Sequence, residues 1–365
     1  MKLASELVFV VNTQQEFWAR EFGAKIIEKD ESFISVVRDL VSQKIRPIVQ
    51  LDKDFAELDA LATLPENSVI GWCHSDETFD LAFNFAIAEI KSLHTILRPY
   101  HLEKFKVSNS IKSLGYSLSN LRMSSSVNDV MRTIAWQFRG FGMQARQGRI
   151  LRNYGKANRC FKNIPIGYTN IFAQSLLEVT QKKTELFKSI FHLQPNRLNQ
   201  SLGKVNFVGQ SGQIVRESAI RSLEKSKLGQ VIRRSGYGAS NVIDQSVATL
   251  GKEYIELLLD SQFVLCPPGN ISGQSFRYFE VITLGRIPLV MNHVTSDPNF
   301  NSGYVCGDLL PTTGSWTKML DASQKIDLAG LTSLVQINTE AAKSEVRDLR
   351  EYLLDAVSNF RQEHN

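Results

Sequence analysis

The chain has 365 residues, with 43% hydrophobic and 22% charged. That balance fits a globular protein and leaves room for two domains of ordinary size. A formal net charge of +5 is mildly basic and does not by itself indicate a nucleic-acid binder. Cys73, Cys160, Cys266 and Cys306 are scattered, form no CxxC motif and have no histidine at zinc-ligand spacing. Cys73 and Cys266 sit in apolar runs, as small core residues of a reducing compartment would. The N-terminal apolar run is too short for a signal peptide or anchor, and no stretch approaches the roughly 18–20 apolar residues of a membrane span.

Apolar runs at Leu7–Val11, Ile45–Leu51, Ser68–Cys73 and His94–Arg98 read as strands. Between them, Ser32–Gln43 and Thr78–Ser92 read as helices, the first with Phe33, Val36, Val37, Leu40 and Val41 at helical spacing. Strands alternating with helices indicate an α/β layer. The third strand runs into His74-Ser75-Asp76-Glu77. The stretch from Lys106 to Asn128 is polar and serine-rich, and Val130–Phe138 looks helical. Arg149–Tyr154 reads as a short strand and Asn163–Tyr168 as a loop. From Val130 to Leu177 the chain holds eight Lys or Arg and no acid: either a solvated basic surface or a wall for a diphosphate or acidic acceptor.

A helix at Gln174–Phe191 leads into a second half, where Val205–Gly209 is a strand, followed by a Gly-containing loop and a helix Ile214–Lys227 carrying Arg216 in its first turn. Ile243–Ala248 reads as a linker and Lys252–Leu259 as a helix. The most informative stretch runs from Asp260 to Met291. Phe263–Cys266 is a buried strand, two prolines end it, and Gly269–Gln274 is a loop of small and polar residues. A helix follows from Ser275 until Gly285 stops it, and Ile287–Met291 is the next strand. This strand–loop–helix–strand unit predicts a parallel crossover. Its loop lies at a strand carboxyl end and a helix amino end, where open α/β sheets bind ligands and anions are favoured. Arg277 in the first turn can grip a diphosphate with its planar fork, and Glu280 can accept bonds from ribose hydroxyls. The alternatives are a crossover without a ligand and a surface or salt-bridged arginine. Two further helices are expected, Ser315–Ser323 and Glu340–Phe360.

The segment SQFVLCPPGN, then SFRYFEVITLGRIPLVM, resembles the C-terminal signature of exostosin-like glycosyltransferases (family 47). It matches at Ser261, Phe263, Leu265, Pro267, Gly269, Ser275, Arg277, Glu280, Gly285, Ile287 and Pro288, with Val281 where alanine is usual. Gly71–Glu77 is similar to that family's strand-end HSDE stretch. Arg152-Asn153-Tyr154 with Ile164–Tyr168 is similar to its RNY and PLGY segment, with Ile166 in place of leucine, and Asn206–Gly209 with Arg216 to its F-x-G…R segment. In order, the resemblance covers Gly71 to Asn292.

The resemblance implies a GT-B type fold, two Rossmann-like domains facing across a cleft. Residues 1–175 would bind the acceptor, 176–340 would bind the sugar nucleotide, and the helix 341–365 would pack across the domains. It implies an inverting transfer of a sugar from a nucleotide-diphosphate donor to a glycan or polysaccharide acceptor, with no metal and no nucleic acid involved. With no membrane anchor expected, the resemblance is to the bacterial type of the family and implies a cytoplasmic location, with peripheral contact at the inner membrane left open. Such a transfer needs a base for the acceptor hydroxyl and stabilisation of the leaving diphosphate. His74, Asp76 and Glu77 are the candidate bases; Ser75 or Asp76 could instead cap the next helix. Gly209, Arg216, Gly269, Ser275, Arg277, Glu280 and Arg152 are the candidates for the donor site. One motif competes: Asp52-Lys53-Asp54 after a strand is the D-x-D pattern of metal-dependent transferases, or a surface turn. A fucosyltransferase-like GT-B enzyme, a non-catalytic carbohydrate-binding homologue and a basic nucleic-acid binder remain the other readings.

Overall fold

The computed structural model describes residues 7–12, 19, 21–73, 80–99, 142, 145–164, 167, 172, 175–176, 204–210, 214–234, 253–267, 276–290 and 316–363. Two units divide the chain: Met1–Phe105 with Met143–Asn170 and Ser344–Asn365, and Lys106–Gly142 with Ile171–Lys343. Each is built on a parallel sheet, so the protein is α/β with two Rossmann-like units.

The first unit's strands are β1 (Val8–Val11), β2 (Lys25–Glu28), β3 (Ile48–Leu51), β4 (Val69–Cys73), β5 (Leu93–Arg98) and β6 (Cys160–Asn163), in the order β2-β1-β3-β4-β5-β6. All neighbours pair in parallel. β1, β3 and β4 are buried throughout, as strands covered on both faces must be. The edge strands β2 and β6 are partly exposed and carry lysines. Helices α1 (Phe33–Ser42), α2 (Phe55–Ala62) and α3 (Leu81–Glu89) intervene. Phe33, Val37 and Leu40 of α1, Leu58 and Leu61 of α2, and Phe83 and Ile87 of α3 fill one core with Val10, Val49, Cys73 and Ile96. At about 25 cal/mol per Å², burying side chains of this size stabilises by roughly 1.5–3 kcal/mol each before the entropy of ordering them is counted.

The second unit has β7 (Val205–Gln210), β8 (Val231–Arg234), β9 (Phe263–Leu265) and β10 (Ile287–Leu289), in the order β10-β9-β7-β8 and all parallel. The expected crossover is present: β9 pairs in parallel with β10, and α5 (Phe276–Thr283) lies between them in the chain. Gly285, at φ 64°, closes that helix in a conformation that disfavours residues with a Cβ. Helix α4 (Ile214–Ser226) follows β7, and α6 (Trp316–Ser323) packs on α4. Asn206, fully buried, donates to Leu257 O at 3.2 Å and accepts from Gln230 N at 2.8 Å, which ties β7 to the segments entering β9 and β8. Gly229 admits no side chain there, because a Cβ would lie 1.8 Å from Val205 O.

The last helix, α7 (Leu328–Glu363), starts earlier than the expected Glu340. From Ser344 on it belongs to the first unit. Arg46 Nη1 donates to Ala356 O at 2.6 Å and its guanidinium lies 4.7 Å from the Phe360 ring centroid, while Tyr352 OH bonds Thr95 at 2.9 Å. No described helix is long and apolar enough to cross a membrane.

Four local expectations are corrected. Residues 145–156 are helical, not a strand, with Gln147, Ile150 and Tyr154 buried at helical spacing. Asn163 ends strand β6 rather than opening a loop. Asp52-Lys53-Asp54 leads directly into the unexpected helix α2. The helix expected at Thr78–Ser92 is Leu81–Glu89, and its cap is Asp80, neither Ser75 nor Asp76. Asp80 accepts from Phe83 N at 3.0 Å and pairs with Lys53. The hydrogen bond from Lys53, followed by that from the Phe83 amide, holds its carboxyl below the usual aspartate value.

Because that value is lowered on folding, Asp80 stabilises fully above about pH 4, and the contribution fades as pH falls through the folded value. Asp80→Ala should cost about 1–2 kcal/mol in urea unfolding at pH 7, and the gap from wild type should shrink in acid. A pH-independent gap would contradict a role for the carboxylate.

Candidate functional site

In the second unit the sheet order reverses at β7 and β9: the chain moves outward from β7 to β8, then returns to the other side of β7 with β9. The carboxyl ends of two adjacent strands whose connections diverge form the crevice where open α/β sheets bind ligands. Gly209 lies near the end of β7, paired with Arg233 of β8. Arg216 is half-buried in the first turn of α4, the helix after β7. Arg277 is in the first turn of α5, the helix after β9. The fold thus places both arginines at helix starts that follow the two switch-point strands. Gly269 and Ser275 lie outside the described residues.

Arg277 is half-buried. Its guanidinium stands 4.9 Å from the ring centroid of Phe207, on β7, close enough for a cation–π contact. Among the described residues it makes no hydrogen bond or ion pair, and its Nε is buried without an acceptor. Buried polar groups are normally satisfied, so such a group calls for an explanation. Other arginines of the chain do find oxygen acceptors. Arg46 donates to Ala356 O, Arg286 Nη2 to Leu259 O at 2.8 Å, and Arg98 to Tyr154 OH at 2.5 Å and to Asn84 Oδ1.

Glu280, one turn beyond Arg277, is 7% exposed. Its Oε2 accepts a 2.5 Å hydrogen bond from the hydroxyl of Tyr254, in the helical run 253–259 that leads to β9. The hydroxyl end of Tyr254 is enclosed. Burial chiefly, and then the charge of Glu280, push its ionisation well above the usual tyrosine value, while Arg277 acts in the opposite sense. Tyr254 therefore remains a proton donor at neutral pH. Sequence reasoning missed Tyr254, because no local pattern links it to Glu280.

In the first unit, His74, Asp76 and Glu77 follow β4 in the chain but lie outside the described residues. Arg152 is exposed on the helical run 145–156, along with Arg146, Arg149 and Lys156. Tyr154 of the same RNY segment is buried, and its hydroxyl, donating to Asn84 Oδ1 at 2.7 Å and accepting from Arg98, serves the core. Burial pushes its ionisation far above the tyrosine range.

Both aspartates of the D-x-D pattern are engaged. Asp52 Oδ2 accepts from Lys29 Nζ at 2.6 Å and its Oδ1 accepts from Gln50 at 2.9 Å. Lys29 also bonds Glu57 at 2.5 Å, so a buried ammonium already sits between two carboxylates. Asp54 caps α2 by accepting from Ala56 N at 2.9 Å. The pair is accounted for by folding, as surface-turn residues with a cap and an ion pair.

No family model and no curated protein sequence matches the chain. Among solved structures it aligns with α,α-trehalose 6-phosphate synthase from Burkholderia multivorans, at 10% sequence identity and TM-score 0.44, over 99% of this chain and 100% of that one. The exostosin-like resemblance accordingly rests on the motif residues themselves.

Asp54→Ala should lower stability by about 1 kcal/mol, the usual weight of an N-cap. Mn²⁺ should leave the melting temperature of both proteins unchanged. A manganese-dependent rise in the wild type that Asp54→Ala abolishes would make the D-x-D pair a metal site.

Proposed function

We propose that the protein is a glycosyltransferase of the exostosin-like, GT-B type. It would move a sugar from a nucleotide-diphosphate donor to a glycan or polysaccharide acceptor, with inversion and without a metal. The observation that carries this reading is Arg277: a guanidinium in the first turn of a switch-point helix, supported by an aromatic ring and lacking any oxygen acceptor among the described residues. Its surroundings suit an anion that arrives with a ligand.

In this reading Arg277 and Arg216 receive the leaving diphosphate, whose charge grows as the glycosidic bond breaks. Glu280 accepts from ribose hydroxyls. Gly209, Gly269 and Ser275 let the donor approach the loops after β7 and β9. One of His74, Asp76 and Glu77, just past the carboxyl end of β4, removes the acceptor hydroxyl proton. Arg152, with the exposed cations beside it, is better placed to meet an anionic acceptor than to be a buried ligand.

Turnover is measured as nucleotide release from a panel of sugar nucleotides. Arg277→Ala should lower kcat/KM roughly 10- to 150-fold, the weight of one charge-assisted hydrogen bond of about 1.5–3 kcal/mol. Lysine should restore it in part, because it keeps the charge and loses the fork. An unchanged kcat/KM in Arg277→Ala would remove this site. Release should also survive EDTA; complete loss that Mn²⁺ restores would contradict the metal-free reading. Alanine at His74, Asp76 and Glu77 in turn should spare donor binding and, at one of them, abolish transfer. Three near-wild-type variants would place the base elsewhere.

A further inference from the structure

We propose that Tyr254 is a positioning residue of this site: by holding Glu280, it keeps Arg277 available to an anion. The inference rests on the reading of Arg277 as the ligand of the donor diphosphate.

Arg277 and Glu280 stand three residues apart on α5, a spacing at which opposite charges pair on a helix. They do not pair here. Glu280 Oε2 takes the Tyr254 hydroxyl at 2.5 Å, and the guanidinium of Arg277 lies against Phe207, 4.9 Å from its centroid. Tyr254 and Phe207, which hold the charges apart, come from different elements. Tyr254 belongs to the helical run 253–259 ahead of β9, and Phe207 belongs to β7. The phenol–carboxylate bond is charge-assisted and short, so it competes well for Glu280. The ring of Phe207 supports the cation without supplying an oxygen.

The result is a divided ion pair. A neutral donor, Tyr254, holds one oxygen of the carboxylate, and the cation keeps its N–H groups for a ligand. Without the Tyr254 hydroxyl, Glu280 loses that donor in a nearly dry setting, and Arg277 is the charged group one turn away. The carboxylate then turns to the guanidinium, and an incoming anion must break that pair. Tyr254 thus acts on the ligand through Glu280 and Arg277, without touching it.

Inorganic pyrophosphate tests this, since it has no ribose and reports on the anion alone. Its affinity is measured by calorimetry for full-length wild type, Arg277→Ala, Tyr254→Phe, Glu280→Gln and the double variant Tyr254→Phe/Glu280→Gln, with circular dichroism confirming the fold of each. Tyr254→Phe should weaken binding roughly three- to tenfold, the weight of a partly buried ion pair that the ligand must break. The double variant should return to the affinity of Glu280→Gln, because no anion is left to capture Arg277. A merely structural tyrosine would not be rescued in this way. If Arg277→Ala loses binding but Tyr254→Phe does not, or if the double variant stays as weak as Tyr254→Phe, the positioning inference is overturned and the donor site stands. If wild type and Arg277→Ala bind pyrophosphate alike, or neither binds it, the donor reading falls and takes the inference with it.

Discussion

A parallel sheet obliges the chain to leave the carboxyl end of each strand, cross a face as a helix, and re-enter at the opposite edge. That constraint puts the carboxyl ends of β7, β8, β9 and β10 on one edge, and from β7 and β9 the chain goes to strands on opposite sides. Both helices that start there carry an arginine in the first turn, Arg216 and Arg277, where free backbone N–H groups already favour negative charge. At the opposite, amino-terminal edge the buried side chain of Asn206 ties β7 to Leu257 before β9 and to Gln230 before β8. The candidate site is therefore set by the topology of the sheet, and its charged groups are held at the carboxyl edge by contacts from neighbouring elements.

The chain's handling of guanidinium groups gives the site its meaning. Arg46, Arg98 and Arg286 are each at most 1% exposed, and each donates to a carbonyl, amide or phenol oxygen of its own unit. Each also leaves its Nε without a partner, so an unsatisfied Nε alone does not single out Arg277. What does is the lack of any oxygen acceptor among the described residues, combined with a ring beneath the guanidinium and a carboxylate nearby that bonds a tyrosine instead. A cation that only maintained the fold would gain by pairing with Glu280. Keeping the two apart makes physical sense when a ligand supplies the anion.

The buried strands were legible in the sequence because a strand covered on both faces reads as an unbroken apolar run, as in Val8–Val11, Val69–Cys73 and Phe263–Leu265. Three of the four edge strands, all but the buried β10, were not. Lys25–Glu28, Cys160–Asn163 and Val231–Arg234 mix apolar residues with charged or polar ones and look like loops until a neighbour pairs with them. Arg149–Tyr154 reads as a strand because a six-residue window holds too little of the helical period; Gln147, ahead of that window, completes the helical pattern. Asp54 reads as a turn residue, and its role as a cap depends on the helix that follows it. At the site, the first-turn position of Arg277 could be read from local pattern. The tie from Tyr254 to Glu280 could not, since side chains from separate elements meet only once the sheet has formed.

The central claim is that the edge above β7 and β9 receives a nucleoside diphosphate through Arg277. Thermal unfolding of wild type and Arg277→Ala with each common nucleoside diphosphate tests it most directly, since a ligand at 100 times its dissociation constant adds about 2.7 kcal/mol to stability. One nucleotide should raise the melting temperature of the wild type by several degrees and that of Arg277→Ala by much less at the same concentration. Equal stabilisation of the two proteins, or none by any nucleotide, would contradict the account.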